Sequence, residues 1–441
     1  MIAITEKIRW LFEGRDGTAA TLQTMLSRCV VMALNLLTGI VIARLLGADG
    51  RGEQAVIILW PQFFSCIMTL GVPSALIYNL KRYPDEQAKF FTAATIVSLG
   101  LGSIAAVLGA QIIPFWMNNY SATVISATQW AMAVTPMLLL TITFSSALEA
   151  CERFGQANAA RYLQGSLTLL LALGFGVIRW ANPMSLAAAY LLPTLPMLGL
   201  MGIQLRKQFR SWQLPRFDIY HRLIDYGIRA YGIELLGTLY LQIGAMLVVN
   251  VLSSSEFGWY AVALSLSRML NLLQSSVVSV LLPKTAAKPL PEVVQMTGQA
   301  TRSSLLALLV PSLIVGVGAP WILATLYGAD FIQAADTLRI LLLESLTAGA
   351  TYVLTRAFMA SGRPGLVAVL QIAGLAVAVP ATVICVKYFG LLGASLALFG
   401  SSFFRLAITM LCFPLLLKVP PPSLIPQRSD LLVFKRMLAN R

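Results

Sequence analysis

Twelve apolar runs, most of them long enough to cross a bilayer as a helix, divide this sequence and leave little room for anything else. The first sets the pattern. From Thr24 to Leu46 it carries charge only at Arg28 and Arg44, then turns through Leu46-Gly47-Ala48-Asp49-Gly50-Arg51-Gly52 into a second apolar run at Ala55. About 20 mostly apolar residues span the hydrocarbon core as a helix. The runs cover 22–46, 55–80, 90–113, 123–148, 159–179, 184–205, 226–251, 258–282, 303–326, 338–359, 365–387 and 392–417. No soluble domain fits between them, and only 11% of the 441 residues are charged, against about 25% in a soluble domain. The expectation is an all-α, polytopic membrane protein of twelve transmembrane helices.

Charge placement orients the spans. With both termini in the cytoplasm, the inside segments hold 23 Lys and Arg, and the outside holds five: Arg44, Arg51, Arg179, Arg339 and Lys387. Positive residues collect on the cytoplasmic side of a membrane, so this orientation is expected and the net charge of +14 is mostly a topology signal. Spread over seven segments, it makes no nucleic-acid surface. Residues 1–20 mix Glu6, Lys7, Arg9, Glu13, Arg15 and Asp16 with Ile4, Ile8, Leu11 and Phe12. That pattern reads as an amphipathic surface helix rather than a cleaved signal. The five cysteines lack metal-ligand spacing and read as packing residues.

The chain repeats itself. Leu46, Gly52, Ala55 and Val56 recur as Leu252, Gly258, Ala261 and Val262 at an offset of 206, and Gly155 and Gln164 recur as Gly362 and Gln371 at 207. A shift of six spans preserves orientation, so the halves are expected to be parallel repeats about a pseudo-two-fold axis along the membrane normal. This gives an N-terminal lobe (1–205, spans 1–6 after the surface helix), a basic linker (206–225), a C-terminal lobe (226–417, spans 7–12) and a basic tail (418–441).

Charges at membrane depth are costly, at roughly 3 kcal/mol or more for an arginine facing lipid, and usually mark a pathway or a partner pair. Arg28 shares a helix face with Thr24, Asn35 and Thr38; Arg268 shares one with Asn271, Ser275 and Ser279. Arg229 lies near the inner end of span 7 and Arg405 near the middle of span 12, with carboxylates at Glu234 in span 7 and Glu344 in span 10. These carboxylates either hold a coupling proton or Na⁺, or neutralise an arginine. At an offset of 207, Glu149 maps onto Arg356, opposite charges that suit an inside gate near the pseudo-two-fold axis. Prolines such as Pro61, Pro73, Pro136, Pro193 and Pro380 interrupt spans and are expected to kink them. No phosphate loop, paired-histidine metal motif or serine–histidine–acid set is visible. An enzyme is therefore not expected, nor a bound cofactor.

Span 1 with its Ile42-Ala43-Arg44-Leu45-Leu46-Gly47-Ala48-Asp49-Gly50-Arg51-Gly52 exit, and the Ala360-Ser361-Gly362-Arg363 turn after span 10, resemble the polysaccharide-type flippases. Their superfamily also holds multidrug and toxin extruders and lipid II flippases. The resemblance implies two six-helix lobes around a central cavity that carries an undecaprenyl-diphosphate-linked oligosaccharide to the outer leaflet. It implies arginines as phosphate ligands, since a guanidinium fork donates two hydrogen bonds to a phosphate and keeps its charge. Arg28 and Arg268 lead, with Arg229, Arg405, Asn35 and Asn271 as further substrate ligands. Lipid-linked oligosaccharide, membrane lipids, a polysaccharide polymerase and glycosyltransferases are the implied partners. A cation-coupled drug exporter is the alternative. A membrane-embedded glycan polymerase or ligase fits less well, because no outer loop exceeds about a dozen residues.

Overall fold

The computed structural model describes the backbone of residues 17–209, 213–271, 274 and 288–424, with side chains from Cys29 onward except Ile233. Residues 1–16 of the predicted surface helix, Ser275 and Ser279, and the tail beyond residue 424 lie outside the described residues, as does the Arg28 side chain.

Helices alone build the described chain, and the apolar runs become helices whose breaks follow local chemistry. Helix α1 (Gly17–Ile67) carries span 1, the glycine-rich turn and the first part of span 2, and departs from helical geometry at Gly47 (φ 67, ψ -172). Span 2 is not the continuous run its hydropathy suggests. Leu70 (φ 43) and Gly71 (φ 70) adopt left-handed backbone, and α2 (Val72–Arg82) restarts with Pro73 in its first turn. Glycine tolerates that conformation, and proline fits a helix start where its missing N–H is not needed. Span 3 is α3 (Gln87–Trp116). Span 4 is α4 (Ala122–Ala131) and α5 (Thr135–Ala150), joined by a tight turn ahead of Pro136. Span 5 is α6 (Phe154–Val177). Span 6 is α7 (Pro183–Leu191), opened by an Asn182–Ser185 capping box, followed after Pro193 by α8 (Thr194–Phe209). Span 7 is α9 (Phe217–Val249), and α10 (Ser254–Met269) opens span 8.

Span 9 starts at Leu290, not 303, as α11 (Leu290–Val317). Its polar first turns are buried rather than solvated: Thr297, Thr301 and Ser304 are within the fold, and Arg302 donates to the Ser423 carbonyl at 3.1 Å. After α12 (Ala319–Leu326), α13 (Ala335–Ala360) is span 10. Helix α14 (Pro364–Cys412) holds spans 11 and 12, broken at Gly390 (φ 53, ψ -131). Large apolar side chains such as Phe115 and Val177 are 81% and 83% exposed, which suits a surface facing lipid. The five cysteines are free; Cys29 is exposed and the other four are partly exposed, so none is fully buried as expected, although Cys151 and Cys412 pack against the two cores.

The chain forms two compact units. One comprises Met1–Thr238 with Ser253–Gly258, and the other Leu239–Leu252 with Trp259–Arg441. The first is centred on Phe90, Phe91, Phe144, Leu148 and Leu205, joined by Ile219 and Leu223 of α9. The second is centred on Leu354, Phe358, Leu370 and Phe413. The first unit claims the start of span 7 through close contacts. Tyr231 donates its hydroxyl to the Ile67 carbonyl, and the Tyr78 and Tyr226 rings stack at 4.2 Å. A Cβ on Gly71 would sit 2.8 Å from the Gly227 carbonyl carbon, so only glycine permits that approach.

The same unit contains a reciprocal seam between repeat-related turns. A Cβ on Gly52 would lie 2.7 Å from the carbonyl carbon of Ser254 and 2.9 Å from Gly258 N, and a Cβ on Gly258 would lie 3.1 Å from the carbonyl carbon of Ala48 and from Gly52 N. Ser255 donates to Asp49 at 3.3 Å. Gly52 and Gly258, Ala48 and Ser254, and Asp49 and Ser255 are each 206 residues apart, so each half of the seam is the counterpart of the other.

The second correspondence shifts. After α5, Glu152 takes φ 59, and after α13, Gly362 takes φ 74. Arg153 N bonds the Leu148 carbonyl and Arg363 N bonds the Phe358 carbonyl, both at 2.9 Å. These identical turns align at an offset of 210 rather than 207, which makes Met359, not Arg356, the counterpart of Glu149.

Candidate functional site

A polar network, buried at Ser402 and Tyr240 and half-buried at its charged members, occupies the second unit. Glu344 projects from α13, Ser402 and Arg405 from α14, and Tyr240 from α9. Ser402 and Arg405 share a face at helical spacing. Ser402 donates its hydroxyl to Glu344 Oε1 at 2.8 Å. That commits the serine proton, so Tyr240, 2.8 Å from Ser402 Oγ, donates in turn. The Arg405 guanidinium lies 3.8 Å from the centre of the Tyr240 ring, in cation–π contact. Arg268 donates to the Leu241 carbonyl, and both Arg268 and Arg405 act electrostatically on Glu344.

Two guanidiniums thus act on one carboxylate, leaving one positive charge in excess among the three. Arg405 Nε and Asn271 Oδ1 are buried without a hydrogen-bond partner among the described residues. Buried polar groups are normally satisfied. A donor without an acceptor beside surplus positive charge is chemistry that an anion would complement.

Of the residues singled out from sequence, this network gathers Arg268, Arg405 and Glu344. Arg229 is not among them: it is exposed and paired with Asp225 at 2.8 Å, one helical turn back. Glu234 is exposed, belongs to the first unit and accepts the Ser74 hydroxyl, so the two carboxylates are not housed together. Asn35 is exposed on α1, while its neighbour Thr38 is buried and bonds the Leu34 carbonyl at 2.8 Å. Glu149 pairs with Arg161, twelve residues on across the turn. Arg356 stacks on the Tyr352 ring at 4.2 Å. Ser402 and Tyr240 drew no attention in sequence, because a serine and a tyrosine in an apolar run are ordinary.

The polysaccharide biosynthesis protein family model matches residues 41–336. A comparison with curated sequences finds no match. Among solved structures, the lipid II flippase MurJ in an inward closed conformation superposes with a TM-score of 0.74 at 14% identity, covering 92% of this chain and 88% of that one. An inward-facing multidrug resistance MATE family transporter of the MOP superfamily gives 0.72 at 15% identity, covering 88% and 96%. A MOP superfamily transporter from Pyrococcus furiosus, described as having a binding pocket of reverse polarity, gives 0.61 at 16% identity, covering 91% and 96%. These likenesses carry the fold, with twelve transmembrane helices in two lobes, and its members are transporters and flippases. With the family model spanning more than half of its length, the chain belongs to the polysaccharide biosynthesis protein family, as a multi-pass membrane protein.

Proposed function

We propose that this protein flips a polyprenyl-diphosphate-linked oligosaccharide from the cytoplasmic to the outer leaflet of a bacterial inner membrane, by alternating access, for lipopolysaccharide or exopolysaccharide assembly. The observation that carries the reading is the excess positive charge of the Arg268–Arg405–Glu344 network with its unpartnered Arg405 Nε. The diphosphate is the constant part of such a substrate, while the glycan varies and the prenyl tail stays in lipid. A cationic drug would meet like charge here; at 4 Å and an effective dielectric of 20, that repulsion is about 4 kcal/mol per pair.

Arg268 and Arg405 hold the phosphates, Asn271 assists, and Glu344 with Ser402 and Tyr240 keeps Arg405 in place. Arg28 and Asn35 are the ligands proposed from the first half. Glu234, which accepts the Ser74 hydroxyl, and Glu344, which accepts the Ser402 hydroxyl, are the candidates for a coupling proton or Na⁺. A gate between Glu149 and Arg356 would rest on their opposite charges alone, since they are not repeat counterparts, and needs both to leave their present partners. The chain acts as a transporter, not an enzyme, with both termini cytoplasmic as the 23-to-5 charge bias favours. Glycosyltransferases supply its substrate and a polysaccharide polymerase consumes it. In proteoliposomes, the double variant Arg268→Ala, Arg405→Ala should lose flipping of a lipid-linked oligosaccharide while remaining folded; retained flipping would refute the assignment.

A further inference from the structure

A polar cavity lies within the first unit. It is about 260 Å³ in volume, and its polar wall is Thr141, Ser145, Glu149, Arg161 and Gln164. Its position follows from the helices: Thr141, Ser145 and Glu149 stand four residues apart on α5, and Arg161 and Gln164 follow the turn on α6. On α5 the eight steps from Thr141 to Glu149 measure about 12 Å along the axis, so the cavity runs inward from the end that the charge bias assigns to the cytoplasm. Ala157 and Ala160, one turn before Arg161 and Gln164 on α6, also line it and, being small, leave it open.

The electrostatics select the ligand. Arg161 donates to Glu149, to Ser145 Oγ at 3.0 Å and to Asn158 Oδ1 at 3.1 Å. Its charge is thus neutralised inside the cavity, and a phosphate entering here would face the Glu149 carboxylate. The other polar groups mix acceptors and donors. The Thr141 hydroxyl spends its proton on the Met137 carbonyl at 2.8 Å and offers only lone pairs. Gln164 donates to Thr194 at 3.4 Å and keeps its carbonyl oxygen as an acceptor. A neutral cavity with several acceptors, a carboxylate–guanidinium pair and small alanines in its lining suits a neutral molecule rich in hydroxyls.

The geometry points to a glycan subsite: the cavity takes a neutral sugar of the substrate, on the side from which it is loaded. The inference rests on the lipid-linked oligosaccharide reading and extends it to sugar selection, since Glu149 and Arg161 would read hydroxyl positions that the arginine network ignores.

The test measures binding of two lipids to the purified full chain in nanodiscs: polyprenyl diphosphate, and the same lipid carrying one neutral N-acetylhexosamine. Wild type should bind the sugar-bearing lipid about tenfold more tightly, the yield of one or two net hydrogen bonds. Ala157→Leu fills the cavity, and Thr141→Val with Gln164→Leu removes polarity at nearly constant shape. In either variant the two lipids should bind alike. A preference retained in both variants, equal weakening of both lipids, or no preference in wild type would overturn the subsite. Failure of wild type to bind either lipid would instead refute the flippase reading itself.

Discussion

Replacing Gly52 with alanine tests the reciprocal seam. Ordinary contact begins near 3.4 Å, and the new Cβ would stand 2.7 Å from the Ser254 carbonyl carbon and 2.9 Å from Gly258 N. Both obstructions are backbone, so no rotamer change relieves them and the turns must part by about 0.7 Å or more. Overpacking of this kind costs about 1–3 kcal/mol, which at 1.4 kcal/mol per decade lowers the docking equilibrium constant by roughly 5- to 150-fold. The assay is disulfide formation between Asp49→Cys and Ser255→Cys, whose wild-type side chains are hydrogen-bonded at 3.3 Å, in a background without the five native cysteines. Gly52→Ala should slow cross-linking at least about fivefold. Gly39→Ala is the control, because a Cβ there meets nothing within 4 Å. An unchanged rate in Gly52→Ala would refute the close approach and the symmetry drawn from it.

Further outcomes follow from single residues. Glu152→Gly should raise the thermal midpoint in detergent, because φ 59 strains a non-glycine residue by about 1 kcal/mol; the lost Lys81 contact, at 3.9 Å between exposed groups, is worth little, and a lowered midpoint would contradict this. Arg405→Lys should restore only part of the transport lost in Arg405→Ala, as a point charge replaces a fork over the Tyr240 ring; full restoration would reduce its role to charge alone. Glu234→Gln should abolish dependence on an ion gradient while leaving substrate binding measurable, and unchanged ion dependence in the folded variant would leave only its bond to Ser74. Ser402→Ala should weaken binding of the lipid diphosphate roughly tenfold by releasing Glu344 and Tyr240, and an unaltered affinity would remove it from the site.

The spans were legible because a bilayer demands long apolar helices, and local backbone geometry was not. Hydropathy runs evenly through Leu70, Gly71 and Val72, so the break in span 2 was marked only by Gly71 and Pro73. The early start of α11 was hidden because Thr297, Thr301 and Arg302 look like loop residues until their partners are seen. The 206 offset was readable from identical residues, whereas the shift to 210 needed the matched turns at Glu152 and Gly362. For the site, unpaired charge was the signal. Arg268, Glu344 and Arg405 stood out as costly and proved to be neighbours, and Arg229 stood out equally yet found Asp225 at the surface. Charge alone reports cost, not location, and the hydroxyls that organise the site carry no cost to report.

The central claim is that surplus guanidinium in the second unit holds the phosphates of a lipid-linked oligosaccharide during flipping. The most direct measurement is leaflet-resolved detection of that lipid in vesicles containing this protein alone, comparing wild type with the Arg268→Ala, Arg405→Ala double variant at equal folded density. The lipid should cross with wild type and stay in its original leaflet with the variant. Equal crossing in both vesicles, or none with either, would contradict the claim.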